Sequence, residues 1–222
     1  MSAMATEDTA PASAGRRERK KQLTREALTE AAFELFAAKG FEATTVEEIA
    51  DAVDVSSRTF FRYFASKEDV ALTFQEEQFA AVLAALAARP ADEPVVTALR
   101  RAIVGVAEAC EEGELGFDPS RFRCIQEMIS SSPALMARSL EHSQKKQADL
   151  TRIIAERMGT DPAVDLRPHV VAAMGGCCFR AVADMWESSP QHYTKLSAAV
   201  DEAFAILEEG VNFPSVHKPV PE

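Results

Sequence analysis

The chain has 222 residues, 47% hydrophobic and 27% charged, with a formal net charge of −11, the mix of one or two globular domains with ample core. That acidity excludes a protein coated with base over its whole surface, so a nucleic-acid-binding face has to be sought segment by segment. Cysteines at 110, 124, 177 and 178 form no C-x-x-C pair, and the longest apolar run, 170–179, is too short for a bilayer, which argues against a zinc ribbon, a disulfide framework or a membrane span.

Residues 1–15 have neither the apolar nor the basic region of a secretory leader, so the cytoplasm is the expected compartment. Residues 1–21 read as a disordered, partly basic arm. From Leu28 onward apolar residues recur at helical spacing, with Ala31, Ala32, Leu35 and Phe36 on one face. Gly40 suits the left-handed residue that ends this helix, and Phe41 can fold back on Phe36. Thr45 then reads as an N-cap with Glu48 completing a capping box, and Val46, Ile49, Ala50 and Val53 form the buried stripe of a short second helix.

Val53, Asp54 and Val55 make a tight turn in which Asp tolerates a left-handed backbone. Ser56 caps a third helix to about Phe64, with Phe60, Phe61 and Phe64 expected on its inner side. Ser66, boxed by Asp69, caps a fourth helix that runs to about Arg89 before Pro90. Further helices are predicted over 95–112, from Pro119 to near Ser131, from Pro133 to Met158, from Arg167 to near Trp186, and over 191–209 before Gly210. The total is nine helices and an all-α fold. Domain bounds are expected at 22–82, containing a helix-turn-helix at about 45–64, and at 83–212, followed by a tail over 213–222.

Two consecutive capped helices joined by a three-residue turn, the second short and basic, form the pattern of a helix-turn-helix DNA reader. Residues 55–67 hold Arg58, Arg62 and Lys67 and no acid, and residues 16–25 hold six cations against Glu18. Taken alone, such charges fit a solvated helix face; their coupling to the turn and the caps selects the DNA reader. Base edges are met by the start of a recognition helix, which makes Ser57, Arg58 and Thr59 the readout candidates. Arg62 shares the outer face, and Tyr63 and Lys67 are candidate phosphate anchors. Thr45 and Ser56 complete the candidate DNA-binding set.

Ala31, Ala32, Leu35, Phe36, Gly40, Phe41, Thr44, Thr45, Val46, Ile49 and Ala50, followed by Val55, Ser56, Thr59, Phe60, Phe61, Tyr63, Phe64, Ser66, Lys67 and Glu68, resemble the N-terminal domain of TetR-type transcriptional regulators. The resemblance implies an all-α homodimer that represses transcription from a double-stranded operator until a small molecule binds a larger C-terminal domain. It also implies phosphate contacts at Tyr63 and Lys67 and base readout from the start of the third helix. Three positions depart from the family habit: Asp54 where Gly is frequent, Phe61 where Tyr is frequent, and Arg58 where a small residue is frequent. In layout the C-terminal part resembles the subgroup with an acyl-coenzyme A-like ligand domain.

In that part the eighth predicted helix is apolar on more than one face and must be covered on both sides. Together with the last helix it suggests an intersubunit four-helix bundle through Met174, Cys178, Val182, Val200, Phe204 and Leu207. Gly175 and Gly176 in mid-helix point to close helix contact or to ligand space. Phe79, Phe122, Met128, His142, Phe179 and Trp186 suit an apolar effector cavity, with ordinary core positions as the competing reading. No G-x-S-x-G, G-x-x-x-x-G-K, H-E-x-x-H or G-x-G-x-x-G motif occurs, so no catalytic residue, metal ligand or cofactor is expected. The alternatives to a regulator are a helical enzyme and a protein-interaction module that uses the first three helices without DNA.

Overall fold

Cap and turn signals translate into nine α-helices and no strand among the described residues. The structure is a computed structural model that describes residues 11–113, 119–188 and 193–211, with the side chains of 11–14, 119–123 and 186–188 outside the description. The helices are α1 (Pro11–Lys39), α2 (Val46–Asp51), α3 (Ser57–Phe60), α4 (Lys67–Ala88), α5 (Val95–Glu111), α6 (Pro119–Ser131), α7 (Pro133–Met158), α8 (Arg167–Ser188) and α9 (Leu196–Glu209). They divide into two compact units. One comprises the described residues up to Phe74 together with Cys124–Ser139, and the other takes the rest.

In the first unit, α1 starts at Pro11, where the sequence suggests a disordered arm to residue 21. Proline is at home in a first turn, and the Arg, Lys, Glu and Gln that follow are good helix formers. Leu28, Ala32, Ile49, Ala50, Phe60, Val70 and Leu72 are fully buried, with Phe33, Phe36, Phe41, Phe64 and Phe74 around them. The end of α6 adds Ile125 and Met128 to the buried set, and the start of α7 adds Leu135. Ser132 caps α7 by accepting the Leu135 N–H at 3.3 Å and donates to the Glu42 carboxylate. Arg138 pairs with Asp69 at 2.6 Å.

In the second unit, α5 packs against both α8 and α9. Leu86, Leu99, Ala102, Leu150, Ile154, Ala172, Cys178, Val182, Val200 and Phe204 form its core. Of the two readings of the mid-helix glycines, close contact holds at Gly175: a Cβ there would stand 3.0 Å from Leu99 Cδ2. The Arg100 guanidinium binds Asp201 at 2.7 Å and Glu208 at 2.5 Å, tying α5 to α9.

Two expectations are corrected here. The last helix begins at Leu196, after extended backbone at Lys195. Its cap comes from a distant residue, Glu111, whose carboxylate accepts the Ser197 N–H at 2.9 Å and hydroxyl at 2.8 Å; positions 191–192 lie outside the described residues. The expected dimer set fares worse. Cys178, Val182, Val200 and Phe204 are each under 8% exposed inside their own protomer, and Leu207 packs against that core. Four of the six expected interface side chains are thus committed to the core of their own protomer, whereas Met174 and Leu207 are only partly buried. Adjacent Cys177 is exposed, as the 100° step between neighbouring helical residues requires.

Candidate nucleic-acid interface

Gly40, at φ +86°, ends α1 with its N–H on the Phe36 carbonyl at 2.9 Å. The chain then folds back and sets Phe41 against Phe36, ring centroids 5.1 Å apart. Thr45 opens α2 with the full capping box: its hydroxyl accepts the Glu48 N–H at 3.2 Å, and the Glu48 carboxylate accepts the Thr45 N–H at 2.9 Å. The hydrogen bond from Lys39, then those from Thr45, hold the Glu48 carboxyl down at about 2.

The turn from α2 to α3 runs through Asp54 at φ +55°, the one non-glycine residue in the left-handed region among the described residues. The Val55 N–H returns to the Ala50 carbonyl at 3.0 Å. Ser56 then caps α3, accepting the Thr59 N–H at 3.2 Å, with its hydroxyl 3.1 Å from the Thr59 hydroxyl. Phe60 is fully buried and Phe64 is 5% exposed, and together they pin α3 to the unit's core. Phe61 does not join them: it is 55% exposed, because α3 is a single turn and successive residues cannot share its inner face.

What remains outward on α3 and the turn after it is Ser57, Arg58, Thr59, Phe61, Arg62 and Tyr63. Arg58 is exposed and its guanidinium has no partner among the described residues. Arg62 donates to the Tyr63 hydroxyl at 3.3 Å and stacks 5.1 Å above its ring centroid. The hydroxyls of Thr45 and Ser56 are engaged in caps. Lys67 departs from expectation: its ammonium donates to the carbonyls of Phe41 at 2.8 Å, Thr44 at 3.0 Å and Glu42 at 3.4 Å, and sits 4.5 Å from the Phe41 ring. All three of its N–H groups are spent clamping the loop between α1 and α2 to the start of α4. Lys67→Ala is therefore expected to destabilise the first unit by about 1.5–3 kcal/mol, the range for a hydrogen-bonded charge. A urea melt checks this; an unchanged midpoint would return Lys67 to a phosphate role.

Two residues of α1 outside the expected DNA-binding set lie beside this segment. Arg25 stacks 4.7 Å over the Phe64 ring, and Thr24 lies within hydrogen-bonding reach of Tyr63. Their signal was the four-residue spacing from Thr24 to buried Leu28, which puts both on one helix face.

Of the expected effector residues, Phe79 and His142 come together in the second unit. Glu76 joins His142 Nδ1 at 3.0 Å to Lys146 Nζ at 3.3 Å, and that ammonium lies 5.7 Å from the Phe79 centroid. Burial pushes the Lys146 ammonium below its ordinary range, with Glu76 opposing the shift. Met128 is buried in the first unit, and Phe179 is 39% exposed on α8. The side chains of Phe122 and Trp186 lie outside the described residues. A groove of about 730 Å³ on this unit is lined by other residues, among them Thr97, Arg100, Met174, Asp201 and Leu207. Among the described residues no cluster of His, Cys, Asp and Glu could hold a metal, and no helix is long and apolar enough to cross a membrane.

Comparison with known proteins matches both parts of the chain. Residues 28–73 match the family model described as bacterial regulatory proteins, tetR family, and residues 93–212 match the MftR C-terminal domain. The HTH-type transcriptional regulator TcmR of Streptomyces glaucescens is 42% identical over 79% of this chain and 78% of its own. The SmeT–triclosan complex has the same fold, with TM-score 0.55 and 20% identity over 90% of this chain and 100% of that one. NalD, the secondary repressor of the MexAB-OprM multidrug efflux pump in Pseudomonas aeruginosa, also has TM-score 0.55, at 16% identity over 86% and 97% of the two chains.

Proposed function

The chain belongs to the tetR family of bacterial regulatory proteins, and from that premise we propose that it binds an inverted-repeat operator as a homodimer and represses transcription until a small, largely apolar effector occupies its second unit. The observation that carries the reading is the outward presentation of Arg58 on a capped, core-pinned α3. Ser57, Arg58 and Thr59 read base edges; Arg62 and Tyr63 hold phosphate.

A two-fold operator needs a two-fold protein. The outer face of α8 supports one: Val170, Ala173, Cys177 and Ala181 fall on a single exposed stripe, with Met185 beside it and Leu166 just before the helix. Apolar exposure of that extent on a helix already packed on its other side favours a second copy. In this proposal the stripe takes the place of Cys178, Val182, Val200 and Phe204, the four expected interface residues that are buried in their own protomer. Val170→Glu is expected to sediment as a folded monomer; a variant that remains dimeric at full affinity would remove this face from the interface.

For the effector, Phe79 with the Glu76, His142 and Lys146 group supports a ligand with an apolar body and a polar end. Such a ligand shifts operator affinity by a coupling of typically about 1–3 kcal/mol. Acyl-coenzyme A thioesters and planar hydrophobic metabolites, screened for thermal stabilisation and then for operator release, test the regulatory reading. Stabilisation without any change in operator affinity counts against it.

A further inference from the structure

α1 is longer than the unit it serves. Leu28 begins its fully buried face, yet the helix reaches back to Pro11, and every residue from 15 to 23 is exposed. Side chains three and four residues apart share one helix face, and Arg17, Lys20, Lys21, Thr24 and Leu28 are related by such steps. The stripe is buried at Leu28, meets Tyr63 at Thr24, and leaves the fold as three cations. The helix is intact across that exit, where the Thr24 hydroxyl donates to the Lys20 carbonyl at 3.0 Å.

The junction with the reader is electrostatic as well as geometric. Burial pushes the Tyr63 phenol up, but the hydrogen bond from Arg62, the hydrogen bond shared with Thr24 and the charges of Arg62 and Lys21 bring it below its ordinary value. Arg62, Tyr63, Lys21, Lys20 and Arg17 therefore follow one another along a continuous basic edge. Arg16 and Arg19 flank it. The single acid of residues 16–25 is Glu18, in an exposed pair with Lys21 at 3.7 Å, and solvent-exposed pairs of this kind are weak and exchange readily.

We infer that the exposed start of α1 is a second duplex-binding ridge, in which Arg17, Lys20 and Lys21 follow the phosphate backbone onward from Tyr63. The inference rests on the reading of α3 as the DNA reader. From Thr24 to Arg17 the helix rises about 10 Å, so the ridge meets backbone beyond what Tyr63 reaches. Its long, water-exposed cations carry no base selectivity: the ridge contributes affinity and salt dependence, and α3 contributes sequence preference. A chain of net charge −11 repels duplex elsewhere, which orients approach through this edge.

The test uses the full-length protein and a fluorescent random-sequence duplex of about 40 base pairs, titrated between about 50 and 200 mM salt. Arg17→Gln/Lys20→Gln/Lys21→Gln is expected to reduce the slope of log K against log[salt] by about 0.9 for each phosphate no longer neutralised, close to 3 per protomer. Gln keeps helix propensity, so the far-ultraviolet circular dichroism should not change. The single variant Arg17→Gln, expected to lower the slope by about 0.9 per protomer, guards against a fold defect in the triple. A wild-type slope in both variants overturns the ridge and leaves the α3 reading standing. A wild type that binds no duplex, but binds vesicles rich in phosphatidylserine or an acidic protein, overturns both.

Discussion

Alanine at Phe204 is expected to destabilise the protein by about 3–5 kcal/mol, the range for deleting a buried aromatic ring. The ring is 1% exposed and packs in a core with Leu86, Leu99, Cys178, Val182 and Val200, so its removal leaves a cavity bounded by α4, α5 and α8. Nothing polar compensates, because the nearby Arg100 network is already closed on Asp201 and Glu208. Phe204→Leu, which conserves most of the volume, should cost less than about 1.5 kcal/mol. Urea melts of both variants, followed by helicity, check the ordering. A Phe204→Ala protein that melts like the wild type but sediments as a monomer would restore the residue to the subunit interface.

Arg58→Ala is expected to weaken operator binding by about 1–3 kcal/mol per half-site, and so by about twice that for a symmetric dimer. Arg62 is tied to Tyr63, whereas Arg58 is exposed on the outer face of α3 with no partner among the described residues, and its planar fork matches the O6 and N7 acceptors of a guanine. On scrambled duplex the loss should be much smaller, because a base contact carries no non-specific affinity. Binding measured on both duplexes at two salt concentrations separates the cases. Equal losses on both would make Arg58 a phosphate contact and leave Ser57 and Thr59 as readers.

The helix-turn-helix was legible because its signals are local. The Gly40 stop, the Thr45–Glu48 box, the left-handed Asp54 and the Ser56 cap each involve residues within a few positions of one another, and each appears as expected. What was not legible depends on distant partners. The cap of α9 comes from Glu111, and the ammonium of Lys67 is claimed by carbonyls more than twenty positions away. The apolar faces of α8 and α9 announced that both sides are covered, but not which side faces its own chain. Phe204 and Val182 went to the inner core, and Val170 to the outside. The expected effector residues divide for the same reason: α6 passes from one unit to the other at residue 124, so its Met128 belongs to the core of the first unit while Phe79 and His142 belong to the second.

A two-fold dimer that reads DNA through α3 requires a symmetric operator. The most direct test of that requirement is repeated selection of bound duplexes from a random-sequence library by the purified protein, followed by sequencing of the survivors. The enriched sequence should be an inverted repeat whose half-site centres lie about 34–36 Å apart or near a multiple of one helical turn. Enrichment of an isolated half-site or a direct repeat, or no enrichment over the starting pool, would contradict it.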